Sequence, residues 1–177
     1  MRTCARYQRA YLYPVLNLAT YERTGIGQFT FSANTWKPRS TGDLITNPNP
    51  SFFGNTISFL FFANNRLGFL SKDNAILGQP NDTYNFFSVS AQVQTAADPV
   101  DLKCSSQRPV VLTAAIPVSQ GIVLFSSQQQ FMLFSDTGVL TPSKAVIKSI
   151  SNYEVDSLVH PVETGTSITF INKSPSY

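Results

Sequence analysis

Histidine occurs once, at His160. A His-based metal cluster is therefore out of reach, and a catalytic triad would hang on one imidazole followed directly by Pro161. The carboxylates offer more. Asp98 and Asp101, in Asp98-Pro99-Val100-Asp101, could supply the paired acids of a glycosidase. Asp beside Pro more often makes a turn in which the carboxylate caps backbone N–H groups. Glu154 and Asp156 flank Val155 and would share one strand face, where charges are ordinarily solvated. Gly25-Ile26-Gly27 lacks the third glycine and the strand-to-helix setting of a dinucleotide loop, and no P-loop is present. Asn81-Asp82-Thr83 and Asn172-Lys173-Ser174 fit the glycosylation pattern, but with no secretory signal they read as chance matches. Cys4 and Cys104 are too few and too far apart for a disulfide framework or a CxxC metal site, so both are expected reduced. The residues alone point to no enzyme, no cofactor and no metal.

The elements that would position these groups are strands. Of the 177 residues only 13% are charged, about half the usual share. Ser, Thr, Asn and Gln, 58 in all, keep the surface wet instead. With 42% hydrophobic and 12% aromatic residues the chain can offset the entropy of ordering. Helical spacing is nearly absent, while short β-branched and aromatic runs bounded by Gly, Pro, Asn and Ser recur throughout. The reading is mainly β. Gln28 to Ser32 alternates with period two. Thr56 to Phe62, the Asn64-Asn65 turn and Arg66 to Leu70 make a hairpin, to which Ala75 to Leu77 can add a third strand. A second unit follows with Val110 to Ile116, Gly121 to Phe125 and Phe131 to Phe134, and later strands at Ala145 to Ile150 and Ser167 to Ile171. Val89 to Ala97 fits a short helix or a strand equally. The repeated antiparallel meander predicts propeller-like blades, with a sandwich as the alternative. The phenylalanines Phe52, Phe53, Phe59, Phe61 and Phe62 have only Arg66 nearby, so core packing is expected rather than a base-stacking platform.

Between Trp36 and Ser51 the pattern stops. Lys37-Pro38-Arg39-Ser40-Thr41-Gly42-Asp43 leads into Asn47-Pro48-Asn49-Pro50, and residues before proline are held extended, so this is a stiff loop. The expected organisation is an N-terminal segment with one or more strands (1–34), an extended Pro/Asn-rich loop (35–54) and β-meander blades (55–177). Charge is uneven: residues 1–39 carry six basic groups against Glu22 alone, whereas residues 40–177 carry seven basic and nine acidic. The long C-terminal part is therefore no electrostatic glove for nucleic acid. Arg2, Arg6 and Arg9 precede an uncharged stretch, but Pro14 and Asn17 interrupt it and no small-residue cleavage site follows. The strongest apolar run, Ile57 to Ala63, falls far short of the roughly 20 residues that span a bilayer. The expectation is a soluble protein with neither export signal nor membrane insertion.

Several segments, in order, carry a resemblance. They are Trp36 to Asp43, Thr46 to Phe52, Gly54 to Ile57, Asn65 to Ser71, Tyr84 to Phe87, Asp98 to Asp101, Leu124 to Ser126 with Gln130-Phe131, Leu140 to Pro142, and Tyr153 to Val155 with Pro161-Val162. Together they resemble the tail tubular protein B family, the nozzle proteins of short-tailed, T7-like bacteriophages. Members are several times longer, so the chain is expected to be an internal slice, a truncated product or a partial reading frame. The resemblance implies a virion tail protein, present in the host cytoplasm during assembly, that forms a six-fold ring with itself. It also implies contact with the tail adaptor protein and tail fibres around passing double-stranded DNA. A wall with few fixed cations lets DNA slide, since each neutralised phosphate deepens non-specific binding.

Structural or interface roles are expected for Trp36, Arg39, Asp43, Pro48, Pro50, Phe52, Arg66, Asp98 and Asp101. Arg39 and Asp43 could hold blades or subunits together, or pair inside one chain. Two rivals remain: a carbohydrate-binding or carbohydrate-cleaving tail module using Trp36, the tyrosines and Asp98/Asp101, and a free-standing β-sandwich adhesin. If the slice leaves blade edges unpaired, the uncharged, proline-free runs Ile57 to Phe62, Ile122 to Phe125 and Phe131 to Phe134 are where aggregation would start.

Overall fold

The computed structural model describes residues 19–165 and 167–173. Among them there is no helix; every element is an antiparallel strand. β1 (Ala19–Gly25) and β2 (Gln28–Ala33) form a hairpin that turns at Ile26-Gly27, where Gly27 takes a φ of 72°. From Glu22 onward the described side chains of this hairpin are exposed, apart from the half-covered Gly25, and none belongs to a core cluster.

Two four-stranded meanders follow. Sheet I runs β3 (Phe59–Ala63), β4 (Arg66–Ser71), β5 (Asn74–Leu77) and β6 (Val100–Lys103). Asn64 and Asn65 turn the first hairpin with φ of 53° and 56°, the left-handed pair that matches strand twist and that Asn tolerates well. Sheet II runs β7 (Leu112–Val118), β8 (Gly121–Ser126), β9 (Gln130–Phe134) and β10 (Val146–Ser151). A short hairpin of β11 (Val162–Thr164) and β12 (Ser167–Thr169) ends the described chain.

The two sheets pack face to face with first strand beside first and fourth beside fourth, β3 lying against β7 and β6 against β10. Strand alternation explains the layers. On sheet I, Phe61, Leu70, Ala75, Leu77 and Val100 point inward to meet Leu112, Ala115, Ile122, Leu124, Phe131 and Leu133 of sheet II. The Phe61 ring lies across its cross-strand partner Gly68, where any Cβ would collide with it. The alternate residues point outward. Phe69 and Ile76 meet Phe52 and Phe86 from the loops over sheet I. Ala114, Ile116, Val123 and Phe125 meet Val155, Ile168 and Phe170 beyond sheet II. The order of layers is loops, sheet I, sheet II, C-terminal hairpin. Ser58 Oγ ties the sheets by donating to the Leu112 carbonyl at 2.6 Å, and Leu112 N–H donates to the Lys72 carbonyl at 2.7 Å.

The mainly β reading and most strands hold. Four expectations change. The strand read from Thr56 begins only at Phe59, because Ser58 N–H and Oγ are drawn to the Leu70 carbonyl in the approach to it. Phe62, expected in the core, is 56% exposed, since it points outward on an edge strand beyond the reach of the covering loops. Val89 to Ala97 is neither helix nor strand. The Asp98 to Asp101 turn gives way at Val100 to β6, whose Val100 and Leu102 face inward against Leu77 and Ala75. Moreover, β8 and β9 are paired on both sides, so of the three aggregation-prone runs only Ile57 to Phe62 contains an edge strand. The residues before Ala19, including Cys4, Arg2, Arg6 and Arg9, lie outside the described residues.

Candidate functional site

Most of the residues singled out in the sequence lie on the loops that cover sheet I, residues 34–57 and 78–99, while Arg66 and Asp101 belong to β4 and β6 of the sheet itself. Phe52 is 1% exposed and sits at the centre, edge-on to Phe69 at 5.3 Å and to Phe86 at 5.3 Å between ring centroids. Half-buried Trp36 closes the cluster against Phe69, Tyr84 and Phe86 at 5.6–6.1 Å. Lys37 holds the same crossing through its N–H on the Tyr84 carbonyl and its ammonium on Asp82 at 2.5 Å. The dimple that Trp36, Pro50, Phe53 and Tyr84 help to line has room for about one water molecule, which is far too little for a sugar ring.

Arg39 and Asp43 do not pair. Arg39 donates through Nη2 to Asn49 Oδ1 at 2.6 Å and lies over the Phe87 ring at 5.2 Å, while its buried Nε finds no acceptor. Asp43 turns back on its own loop: Oδ1 accepts from the Ile45 and Thr46 N–H groups and from Thr46 Oγ1, each at 2.9 Å. The bonds from Thr46 and then Ile45 hold this carboxyl below the usual carboxylate range. Pro50 is buried and Pro48 exposed.

Sequence reasoning passed over Asn47, which is 3% exposed. Its Nδ2 donates to the Thr41 and Ser88 carbonyls at 3.0 Å and its Oδ1 accepts from Ser88 N–H at 3.2 Å. Thr41 Oγ1 adds a bond to the Val89 carbonyl at 3.0 Å. The 41–47 turn and the 88–97 loop are thereby one unit, close enough that a Cβ on Gly42 would lie 2.9 Å from that of Ala91. Nothing in the sequence distinguishes Asn47 from the other asparagines of that stretch.

Arg66 and Asp98 anchor the unit from below. Arg66, buried on the inner face of sheet I, donates through Nη1 to the Gly78 and Asp98 carbonyls at 2.8 Å. Through Nη2 it reaches the Ala96 carbonyl at 2.9 Å and the Leu140 carbonyl at 3.3 Å, the last from the β9–β10 connection of sheet II. Burial lowers its pKa and the opposing charge of Asp98 raises it. Asp98, with no exposed surface, accepts from Val89 N–H at 3.1 Å and Thr95 N–H at 2.7 Å, clasping both ends of the loop. Asp101 stands apart on β6, accepting from Ser51 N–H at 2.7 Å and Asn74 Nδ2 at 3.1 Å.

Both carboxylates thus hold loops in place, and the structure brings together Trp36, Arg39, Asp43, Pro50 and Phe52 as a covering layer rather than as a reaction centre. His160 is exposed and packs at 5.4 Å on Phe59. Val155 is buried between exposed Glu154 and half-exposed Asp156. Among the described residues no group of three or more His, Cys, Asp or Glu could hold a metal ion, and no helix is long and apolar enough to cross a membrane.

Comparison with known proteins bears on this layer and on the sheets beneath it. Tail tubular protein gp12 of Escherichia phage T7 is 34% identical over 155 residues, which make up 88% of this chain and 19% of that protein. The chain therefore spans about a fifth of that relative's length. The family model of the bacteriophage nozzle protein matches residues 20–177, which takes in both meanders and the loops over them, and the chain belongs to that family.

Proposed function

We propose that this chain is a structural subunit of a phage tail nozzle, part of the wall of the conduit through which the genome leaves the virion. The observation that carries it is the family match over residues 20–177. The architecture agrees with a wall. Two successive four-stranded meanders packed first strand to first and last to last are how consecutive propeller blades stack, and we read them as two blades. The chain works without catalysis: the best acid pair in the sequence, Asp98 and Asp101, is taken up by bonds to backbone and amide N–H groups. In this setting the chain sits in the virion tail after assembly in the host cytoplasm, meets the adaptor and the fibres, and joins copies of itself in a six-fold ring. DNA passes a wall whose residues 40–177 hold nine acidic against seven basic groups, so contact with phosphate is weak. Electron microscopy of the assembled tail with this chain labelled tests the reading: density in the nozzle wall is expected, and tails complete without the chain would refute it. In a titration, duplex DNA binding weaker than micromolar at physiological salt is expected; tighter binding with a steep salt slope would refute the passive wall.

A further inference from the structure

Four strands end the two sheets, β3 and β6 on sheet I and β7 and β10 on sheet II. An edge strand shows a row of unpaired N–H and C=O groups to any passing chain, and proteins guard such rows with charges, proline or bulges. Three of the four edges are guarded in this way. β6 carries Asp101 and Lys103, and Pro99 precedes it. β7 carries Pro117 and a register shift between Leu112 and Ala114. β10 carries Lys148 and a register shift between Ser149 and Ser151. β3 has none of these devices: Phe59-Leu60-Phe61-Phe62-Ala63 is uncharged and free of proline, and its register with β4 runs unbroken.

The side chains agree with the backbone. Leu60 and Phe62 lie beside Phe69 and Leu67 of β4, which belong to the aromatic layer under the loops. At β3 that layer runs out, leaving Leu60 47% and Phe62 56% exposed. A guest that covers both edge and side chains must offer main-chain donors and acceptors at strand spacing, with apolar side chains at every second residue. Only an extended polypeptide does so. We propose that the free edge of β3 is a strand-addition site, which takes an uncharged extended segment of a different polypeptide as a fifth strand of sheet I. The guest's alternate side chains cover Leu60 and Phe62 and carry the outer layer one strand further. A second copy is the poorer guest. β7 lies against β3, so joining two β3 edges would also bring two β7 edges together, and Pro117 and the bulge oppose pairing there. A single strand meets β3 alone.

The experiment uses the full chain, with a fluorescein-labelled peptide of the sequence of residues 65–72 as probe. In the chain this sequence already runs along the other side of β3, with Leu67 beside Phe62 and Phe69 beside Leu60. Its alternation therefore suits the free edge, and Arg66 and Lys72 keep it soluble. Fluorescence anisotropy in about 0.5 M salt, where exposed charges are screened, should show saturable binding. Hydrogen exchange should slow in residues 59–63 and not in β6, β7 or β10. Two further versions of the peptide, N-methylated at Leu67 and Phe69 or at Gly68 and Leu70, lose the donors of opposite edges. One should bind as the parent does and the other should not bind. Leu60→Lys with Phe62→Lys, at exposed positions, should weaken binding by about tenfold or more while keeping the wild-type circular dichroism spectrum. No binding, an equal effect of the two methylations, slowed exchange at another edge, or a folded variant that binds as wild type does would each overturn the proposal. So would slowed exchange in residues 59–63 on concentrating wild type alone, which makes a second copy the occupant. If the variant loses its spectrum, the methylated pair and the exchange pattern decide without it.

Discussion

Replacing Arg66 tests the anchoring argument at its most exposed point. Arg66→Met keeps much of the side-chain volume and removes the guanidinium. Four carbonyls, from Gly78, Ala96, Asp98 and Leu140, then lose their donor, and Asp98 is left as a buried carboxylate without the opposing charge. Leaving buried carbonyls unsatisfied costs about 1–3 kcal/mol each before the site relaxes, and a total of about 3–5 kcal/mol is expected here. In a chain of this length that lowers Tm by roughly 6–20 °C. Arg66→Lys restores the charge but not the planar fork, and should recover only part of the loss. Arg66 and Asp98 carry opposing charges and hold the same loop, Arg66 through the Asp98 carbonyl, which predicts non-additivity: Arg66→Met with Asp98→Asn should cost less than the two single changes together. Urea unfolding measures all four proteins, and hydrogen exchange at Val89 and Thr95 should quicken first, since Asp98 clasps those two amides. A loss under about 1 kcal/mol for Arg66→Met, or strict additivity with Asp98→Asn, would refute the anchor.

Trp36→Ala removes three ring contacts, but from a half-buried site, so it should cost about 2–3 kcal/mol, below the range for full burial; calorimetry decides. Gly68→Ala would drive a Cβ into the Phe61 ring and should cost about 1–3 kcal/mol as an overpacked core does, whereas Phe61→Leu in the same background should recover part of it in denaturant melts. Burial, then the nearby Asp73, pushes the Cys104 thiol up to about 12 from an ordinary value of 9.0. A raised pKa favours folding below the unfolded value and loses that advantage as pH climbs towards the folded one. Stability should therefore fall between pH 9 and 12 by about 1.4 kcal/mol per unit, about 4 in all, and Cys104→Ala should abolish that part of the slope in alkaline titrations.

Much of the fold was legible because most strands announce themselves by alternation. Gln28 to Ser32, Gly121 to Phe125 and Phe131 to Phe134 fall on β2, β8 and β9, and Asn64-Asn65 turns where two residues able to take positive φ sit between apolar runs. What escaped were strands defined by their neighbours. β6 is Val100-Asp101-Leu102-Lys103, four residues with two charges and a preceding proline; it is a strand because Asn74 to Leu77 offers an edge and Val100 and Leu102 can reach the inner layer. β11 is three exposed residues, Val162-Glu163-Thr164, with no burial signal to read. Phe62 was misplaced for the complementary reason. Alternation tells which residues share a face, but not whether anything covers that face at the edge of the sheet.

The covering layer shows the limit of reading chemistry from residue types. Asp98 and Asp101 looked like a pair because they are three positions apart, yet a buried carboxylate and an exposed one serve different loops: Asp98 closes residues 89–95, and Asp101 receives Ser51 from the start of the aromatic turn. Arg39 and Asp43 looked like an ion pair, and each instead satisfies polar groups close by in its own loop layer. In both cases the long irregular segments bring many backbone N–H and C=O groups under cover without strands to pair them. Covered groups must find partners, and the few charged and amide side chains available are drawn to that task. Arg66, Asn47 and Asp98 together satisfy nine such bonds. A chain with only 13% charged residues thus commits two of them, Arg66 and Asp98, to the interior, where they hold its loops.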